Sequence, residues 1–528
     1  MPLFDLLLFL PASLALYWSW LIISRLWLSP LSQFPGPKLA ALTTWYEFYY
    51  DIVLGGRFPW QMRELHAKYG PVVRITPEEL SVSDPHFYAT LYASAGKRRD
   101  KWKPVPGQKW VKDSVAGSMS HELHRMRRSA LNPVFSVQRL TAQQDSYKKK
   151  IARFMERMDG FAETGEKVLA WRVLAALAND SIMTYCLGHS YDRLETSSFQ
   201  ELDDNDEILQ NLVGGHRMKQ FGYFPRIMES VLFRLPHSFL AKILPPFASF
   251  LREQKHIGDQ TRSLVRGDKG TGAPATLLET LLQSKLSNEE KEPERIAQES
   301  MTTVIAGTHG TSFALSTAIY YLLSSPPTLK RLKAELTKAI PDLSTVESLS
   351  WKDAEQLPYL KGVVQEALRL SYGSIARLPR ISPVDSLTVP DPRHDKPWVI
   401  PPGTPIGMSS FVVHHDESVF PDSDDFKPER WVENPGLERY MVSFTKGSRS
   451  CLGMNLAYAL MYLTLMRVFR EYGSPECRDP GDKGYLELVD TELSDVVPAI
   501  DGFIPLSRNG SHGLQFIVRE YTSGDLQP

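Results

Sequence analysis

From Leu6 to Ser24 the chain is uncharged and mostly apolar, bounded by Asp5 and Arg25. As a helix this run would be roughly 28 Å long, about the hydrocarbon thickness of a bilayer. Tyr17, Trp18, Trp20 and Trp27 crowd toward its C-terminal side, where an interfacial aromatic belt belongs. No basic segment precedes the run and no small-x-small site follows it, so it reads as an uncleaved anchor rather than a secretory signal. Asp5 precedes it while Arg25 and Lys38 follow, which places the rest of the chain on the cytosolic side. Pro30, Pro35 and Pro37 then disfavour helix at the residues before them. The pattern predicts an anchor over 1–28, a stiff Pro-rich hinge over 29–40 and one large domain over 41–528.

Beyond the hinge, helical periodicity dominates. The stretch 72–84, VVRITPEELSVSD, reads as a hairpin, and 386–410 as short strands and turns. The expected class is mostly α with a small β portion, preceded by one transmembrane helix. The longest predicted helix runs from Glu294 to Ser324, with Pro293 at its start and Pro326-Pro327 just beyond its end. It would be roughly 46 Å long and cross a whole domain. Its centre reads AGTHGTS (306–312). Two glycines there cost about 1 kcal/mol each relative to alanine, so close packing or a ligand must press on the backbone. The apolar, aromatic stretch 222–251 reads either as core or as a cover over a substrate channel.

Composition narrows the function. Of 528 residues, 42% are apolar and 23% charged, which excludes a disordered, collagen-like or all-membrane chain. Lys plus Arg number 60 against 61 Asp plus Glu, so no strong field draws nucleic acid. The three cysteines, Cys186, Cys451 and Cys477, are too sparse for a disulfide framework and fit a reducing compartment.

Cys451 follows a basic, Gly-containing loop and precedes a strong apolar helix pattern, Leu456 to Phe469. Read alone it is a packed free thiol or a thiolate favoured by Arg449 and a helix N-terminus. No second cysteine or paired histidine lies near enough to suggest zinc. His414-His415-Asp416 invites a metal, but adjacent residues do not converge on one point, so an exposed loop is expected.

The spacing Phe444-x-x-Gly447-x-Arg449-x-Cys451-x-Gly453 resembles, position for position, the haem-binding loop of the cytochrome P-450 family. Glu366-Ala-Leu-Arg369 resembles its ExxR motif. Pro428-Glu-Arg430-Trp431 resembles its PERF-type motif, with Trp for Phe. His124-x-x-x-Arg128 resembles its WxxxR motif, with His for Trp.

The resemblance implies the cytochrome P-450 fold and a haem b (iron protoporphyrin IX) with Cys451 as the axial thiolate. Phe444 would pack near the sulfur, and Gly447 and Gly453 would admit the porphyrin face. His124, Arg128, Arg380 and Arg449 would hold the propionates. Glu366, Arg369 and Arg430 would brace the scaffold. Family members carry an acid and then a threonine in the central helix, whereas Ala306-Gly307-Thr308-His309-Gly310-Thr311 places His309 at the acid and Gly310 at the threonine. His309, Thr308 and Thr311 are therefore the candidates for proton delivery, with ordered water beside Gly310 as the alternative.

The implied activity is a membrane-anchored monooxygenase of the microsomal, fungal secondary-metabolism type. It would hydroxylate or epoxidise a lipophilic terpenoid, polyketide or alkaloid intermediate. It would use O2 and electrons from NADPH–cytochrome P-450 reductase, at the endoplasmic reticulum membrane, single-pass, with a cytosolic catalytic domain. A haem-thiolate isomerase, dehydratase or ring-forming enzyme needing no reductase is the second reading, and a non-enzymatic haem sensor the third.

Overall fold

In the computed structural model, residues 3–521 are described apart from 95, 103–110, 394, 480 and most of 197–275; for 3–10 only the backbone is described. The chain begins with α1, Leu3–Ile23, continued by a π-helical turn at Ser24–Leu28. Among the described residues no helix is long and apolar enough to cross a membrane. The structure therefore does not supply the expected transmembrane helix.

The proline-rich segment 29–40 is tied down. Leu31 and Phe34 are buried against Val72 and Leu80. Arg74 donates from its backbone N–H to Pro35 O at 2.7 Å and from Nη1 to Arg25 O at 2.8 Å.

The body is mostly helical, as the periodicity predicts. Its larger helices are α2 Phe58–Tyr69, α3 His121–Leu131, α4 Gln144–Thr164, α5 Ala170–Leu187, α6 Leu277–Gln283 and α7 Pro293–Leu323. They continue with α8 Pro326–Ala339, α9 Pro358–Ser371 and α10 Met454–Glu471. Pro293 and Pro326 sit at the first positions of α7 and α8, where a missing N–H costs nothing. Ser120 caps α3 by accepting the Leu123 N–H, and Gly165 ends α4 in the left-handed region.

The expected hairpin is β1 Val72–Arg74 and β2 Leu80–Val82, paired antiparallel with Val72 opposite Val82. They join a five-stranded sheet with β3 Asp100–Lys101, β5 Arg380–Ile381 and β8 Pro405–Gly407, in the order β1-β2-β8-β5-β3. Strands β6 Leu387–Val389 and β7 Trp398–Ile400 form a separate hairpin in the stretch expected to hold strands and turns. A second sheet collects β4 Lys167–Leu169, β9 Tyr472–Gly473, β10 Gly484–Leu488 and β13 Gln515–Glu520. The last hairpin is β11 Ile500–Gly502 with β12 Ile504–Leu506.

One apolar core runs through the helices. Tyr147, Phe154, Leu315, Trp351, Val363, Tyr462 and Phe469 all belong to it, each almost fully buried. The long helix α7 packs against α5, α9 and α10. The apolar stretch 222–251, expected as core or channel cover, falls almost wholly outside the described residues.

Candidate haem site

The Cys451 loop sits between α3, β3, β5 and the start of α10. A 3-10 turn at Gly447–Arg449 leads into it, and the Cys451 N–H donates to Phe444 O at 2.8 Å. Phe444 packs on Tyr458 of α10 with ring centroids 5.1 Å apart. The thiol side of Cys451 is exposed, while Cys186 and Cys477 are buried.

The protein packed behind Cys451 desolvates the thiolate more than its neighbours repay. Backbone donors from Gly453 and Met454 and the charge of Arg128 pull the pKa down, but burial outweighs them and the thiol stands above its ordinary value. Arg449 turns away, donating from Nη1 to Ser118 O at 2.7 Å and from Nη2 to Met119 O at 2.9 Å and Ser120 O at 3.0 Å.

Gly447 has a different duty from the expected one. At φ 73°, a Cβ there would lie 2.2 Å from the carbonyl oxygens of both Tyr92 and Ala93. Its missing side chain lets the loop close on residues 92–93, where Ser448 donates to Ala93 O at 3.0 Å. A Cβ on Gly453 would meet only open space.

Around the loop, several cations gather, with Asp100 opposing them at Arg449. Arg128 donates to Ser450 O and, at 3.4 Å, to Ser450 Oγ. Arg380 is buried, donates to Leu378 O and Pro379 O, both at 3.1 Å, and lies 5.3 Å over the Tyr92 ring. His124 is buried, and its Nδ1 has no hydrogen-bond partner. Burial, then the charges of Arg449, Arg128, Lys101 and Arg380, push the His124 pKa down to about 2. Burial, followed by Arg380, lowers Arg449 to about 10, with Asp100 opposing. Burial lowers Arg128 and Arg380 as well.

Lys101 completes the group and is the member that motif reading missed. It is lowered to about 7 by burial and by Arg380 and Arg449. It reaches the site because β3 pairs with β5, setting Lys101 opposite Arg380. No local signal in the sequence announces that pairing.

A cluster of desolvated cations, with the buried Nε of Arg449 and Nδ1 of His124 unpartnered, is chemically suited to a dianionic ligand such as the two carboxylates of haem. The residues present fit that cofactor. Among the described residues, no group of His, Cys, Asp and Glu could hold a separate metal ion.

The centre of α7 carries two unlike glycines. A Cβ on Gly307 would lie 2.0 Å from Ile182 Cδ1 on α5, so the helices touch there. A Cβ on Gly310 would meet nothing within 4 Å, and Ala306, one turn earlier, is exposed. Thr308 faces the other way, donating to Val304 O at 2.8 Å and accepting from Asn179 Nδ2 at 3.0 Å. Thr311 is buried. His309 Nε2 lies 3.4 Å from Pro505 O, and its ring stacks on Phe313 at 6.1 Å. The structure thus does not bring Thr308, His309 and Thr311 onto one face.

Behind the loop, Glu366, Arg369, Arg430 and Trp431 form one buried network. Glu366 accepts from Arg369 Nε and Nη2 at 2.9 and 2.8 Å, from Arg430 Nε at 3.0 Å and from Trp431 Nε1 at 2.8 Å. His414 and His415 are buried too, contrary to the exposed loop expected. They lie at the end of the short helix Ser410–His414, where His414 bonds Arg369 O at 2.9 Å and His415 bonds the Tyr372 hydroxyl at 2.6 Å. Burial lowers both pKa values, that of His415 to about 3.

Comparison with known proteins agrees with this geometry. The family profile described as Cytochrome P450 matches residues 40–483. The chain is 41% identical to cytochrome P450 monooxygenase tpcC of Cochliobolus heterostrophus, over 95% of each chain. It is 41% identical to cytochrome P450 monooxygenase astB of Talaromyces wortmannii, over 94% of each. It is 36% identical to N-acetyltryptophan 6-hydroxylase ivoC of Emericella nidulans, again over 94% of each. The cysteine loop, its cation cluster and these similarities lead to one conclusion: the chain belongs to the cytochrome P450 family, oxidoreductases that carry haem b on a cysteine thiolate.

Proposed function

We propose that Cys451 is the axial haem ligand of a monooxygenase that hydroxylates or epoxidises a lipophilic small molecule of fungal secondary metabolism. The observation that carries this is the convergence of Lys101, His124, Arg128, Arg380 and Arg449 beside Cys451 with so little counter-charge. A thiolate-bound haem there would supply the oxygen-activating chemistry. The named relatives support the substrate class: tryptophan 6-hydroxylase fscE of Fusarium equiseti and stellatic acid synthase of Emericella variicolor are 37% and 34% identical to the chain.

The protein's own parts divide the work. Lys101, His124, Arg128, Arg380 and Arg449 hold the carboxylates of the cofactor. Phe444 shields the sulfur, and Gly447 closes the loop. Glu366, Arg369 and Arg430 keep the scaffold rigid. Protons reach the open face of α7 through the His309 imidazole or through water beside Gly310. Thr308 and Thr311 lie round the helix from that face.

Electrons come from a membrane-bound NADPH–cytochrome P450 reductase, O2 is the co-substrate, and the catalytic domain over 41–528 works on the cytosolic side of the endoplasmic reticulum. Trp18, Trp20, Trp27, Leu28 and Trp45 are all more than half exposed, an apolar strip suited to a lipid surface. The lack of an acid–threonine pair on α7 keeps one other reaction class in view, a rearrangement or dehydration that consumes no reductant.

The test is expression with a reductase in a host that makes candidate precursors, followed by mass spectrometry. New products that require NADPH support the monooxygenase; NADPH-independent turnover supports the rearrangement. Cys451→Ser must abolish the reduced carbon-monoxide band while far-UV circular dichroism stays unchanged; a retained band would end the assignment.

A further inference from the structure

The residues just before α3 fold into a tight coil of their own. Ser114 donates its backbone N–H to Val111 O at 3.0 Å and its hydroxyl to the same oxygen at 2.7 Å. Ser118 Oγ donates to Ser114 O at 2.9 Å, and the Gly117 N–H donates to Ser114 Oγ at 3.2 Å. A Cβ on Gly117 would lie 2.0 Å from Val111 O, so the coil closes only because residue 117 has none. Ser114 and Ser118 are buried, which makes these bonds costly to lose.

Two side chains of α7 grip one side of the coil. Gln298 accepts the Asp113 N–H at 2.9 Å and donates from Nε2 to Asp113 Oδ2 at 3.2 Å. Glu299, buried, accepts the Val115 N–H at 2.9 Å. Arg127 of α3 adds a bond to Ser118 Oγ at 3.1 Å. Glu299 is itself held by Arg295 Nη2 at 3.2 Å, one turn earlier on α7.

The other side of the coil meets the cysteine loop. The carbonyls of Ser118, Met119 and Ser120 take up Nη1 and Nη2 of Arg449. Lys101 donates from Nζ to Ala116 O and from its backbone N–H to Met119 O, the latter at 3.0 Å. The three carbonyls occupy the outer fork of Arg449 and leave its buried Nε without a partner. A guanidinium is planar and rigid, so the place of those carbonyls sets the direction of the Nε–H. Through the coil, an unbroken series of hydrogen bonds runs from α7 to two of the cations beside Cys451.

We propose that Gln298 and Glu299 are positioning residues for the haem site: by fixing the coil 113–118 against α7 they hold the carbonyls of 116–120 that orient Arg449 and Lys101, two of the groups assigned to the cofactor's carboxylates. The inference rests on the haem-thiolate reading above. Gln298 and Glu299 act through the coil. A glutamine at 299 keeps an oxygen for the Val115 N–H and an alanine keeps none, whereas both remove the charge that Arg295 meets. The two substitutions therefore separate support of the coil from the ion pair.

The test uses the full-length, haem-loaded protein and its Glu299→Ala, Glu299→Gln, Gln298→Ala and Thr302→Ala variants. Thr302 is the control, because its hydroxyl bonds within α7, to Gln298 O at 2.6 Å. Transfer of haem to excess apomyoglobin gives the rate of loss, hydrogen exchange reports on 111–120, and urea unfolding reports on the whole fold. E299A and Q298A should lose haem about two- to tenfold faster, the worth of one hydrogen bond, with faster exchange in 111–120. E299Q and T302A should match wild type in both readings, whatever they do to the urea midpoint. A wild-type rate of haem loss in either E299A or Q298A overturns the inference, as does faster loss without faster exchange in the coil. So does E299Q losing haem as fast as E299A, or T302A as fast as Q298A. If E299A fails to fold, Q298A against T302A decides. Absence of the reduced carbon-monoxide band in wild type overturns the haem reading and this inference together, whereas a normal band with unchanged rates overturns this inference alone.

Discussion

Arg369 grips both oxygens of the Glu366 carboxylate, at 2.9 and 2.8 Å, and neither side chain has any exposure to solvent. The same guanidinium donates to His414 O at 3.0 Å, Ser423 O at 2.6 Å and Asp425 O at 2.9 Å. One buried pair therefore joins α9, the 414–425 loop and, through Arg430, the segment that leads to Cys451. Replacing Glu366 by alanine strands two buried guanidinium groups. We expect a loss of about 3–5 kcal/mol, a large part of a typical domain's total stability. Urea unfolding and the haem content of purified protein measure it.

The two glycines of α7 should respond in opposite directions. Gly307→Ala drives a methyl into Ile182, itself buried, and should destabilise by about 1–3 kcal/mol. Gly310→Ala meets no neighbour and improves helix propensity, a gain of up to about 1 kcal/mol. Chemical denaturation of both variants decides the point.

Glu299 predicts how stability varies with pH. It lies on α7, bonded to Arg295 Nη2 at 3.2 Å and to the Val115 N–H at 2.9 Å, and burial raises its pKa from 4.5 to about 7. Arg127 of α3 and Glu290 of the turn before α7 also face it. The folded protein holds this proton more tightly than the unfolded chain does. The group therefore adds stability below about pH 4.5, and the addition is lost as pH rises to about 7. Between about pH 5 and pH 8, wild type should lose stability relative to Glu299→Gln, as read from denaturation midpoints across that range.

Removing a cation beside Cys451 should separate cofactor retention from polypeptide stability. Lys101→Met removes a desolvated charge that Arg380 and Arg449 repel. The cofactor-free protein should therefore melt higher. The loaded protein should lose haem to excess apomyoglobin about 10- to 100-fold faster, the worth of one charge-assisted hydrogen bond. Arg128→Ala should lose haem faster as well.

Local signals carried much of this architecture. Pro293 marks a real helix start, Pro326-Pro327 lie just beyond that helix's real end at Leu323, and the pattern over 72–84 marks a real hairpin. The spacing from Phe444 to Gly453 identifies the cysteine loop because a tight turn fixes those residues within a few positions of one another. What stayed hidden depends on distant pairing. Lys101 joins the site only through β3 and β5. The close approach that demands Gly447 comes from Tyr92 and Ala93. His414 and His415 stand in a polar stretch, and only Arg369 O and the Tyr372 hydroxyl show that they are interior. The partners of Arg449 were hidden likewise: it donates to the carbonyls of Ser118, Met119 and Ser120, more than three hundred positions away.

The crowded positive charge around Lys101, Arg380 and Arg449 has a consequence for the living cell. A polypeptide that folds around mutually repelling side chains depends on its prosthetic group to relieve them. Iron and porphyrin supply would then govern how much of this protein survives surveillance by proteases, as surely as the rate at which ribosomes make it.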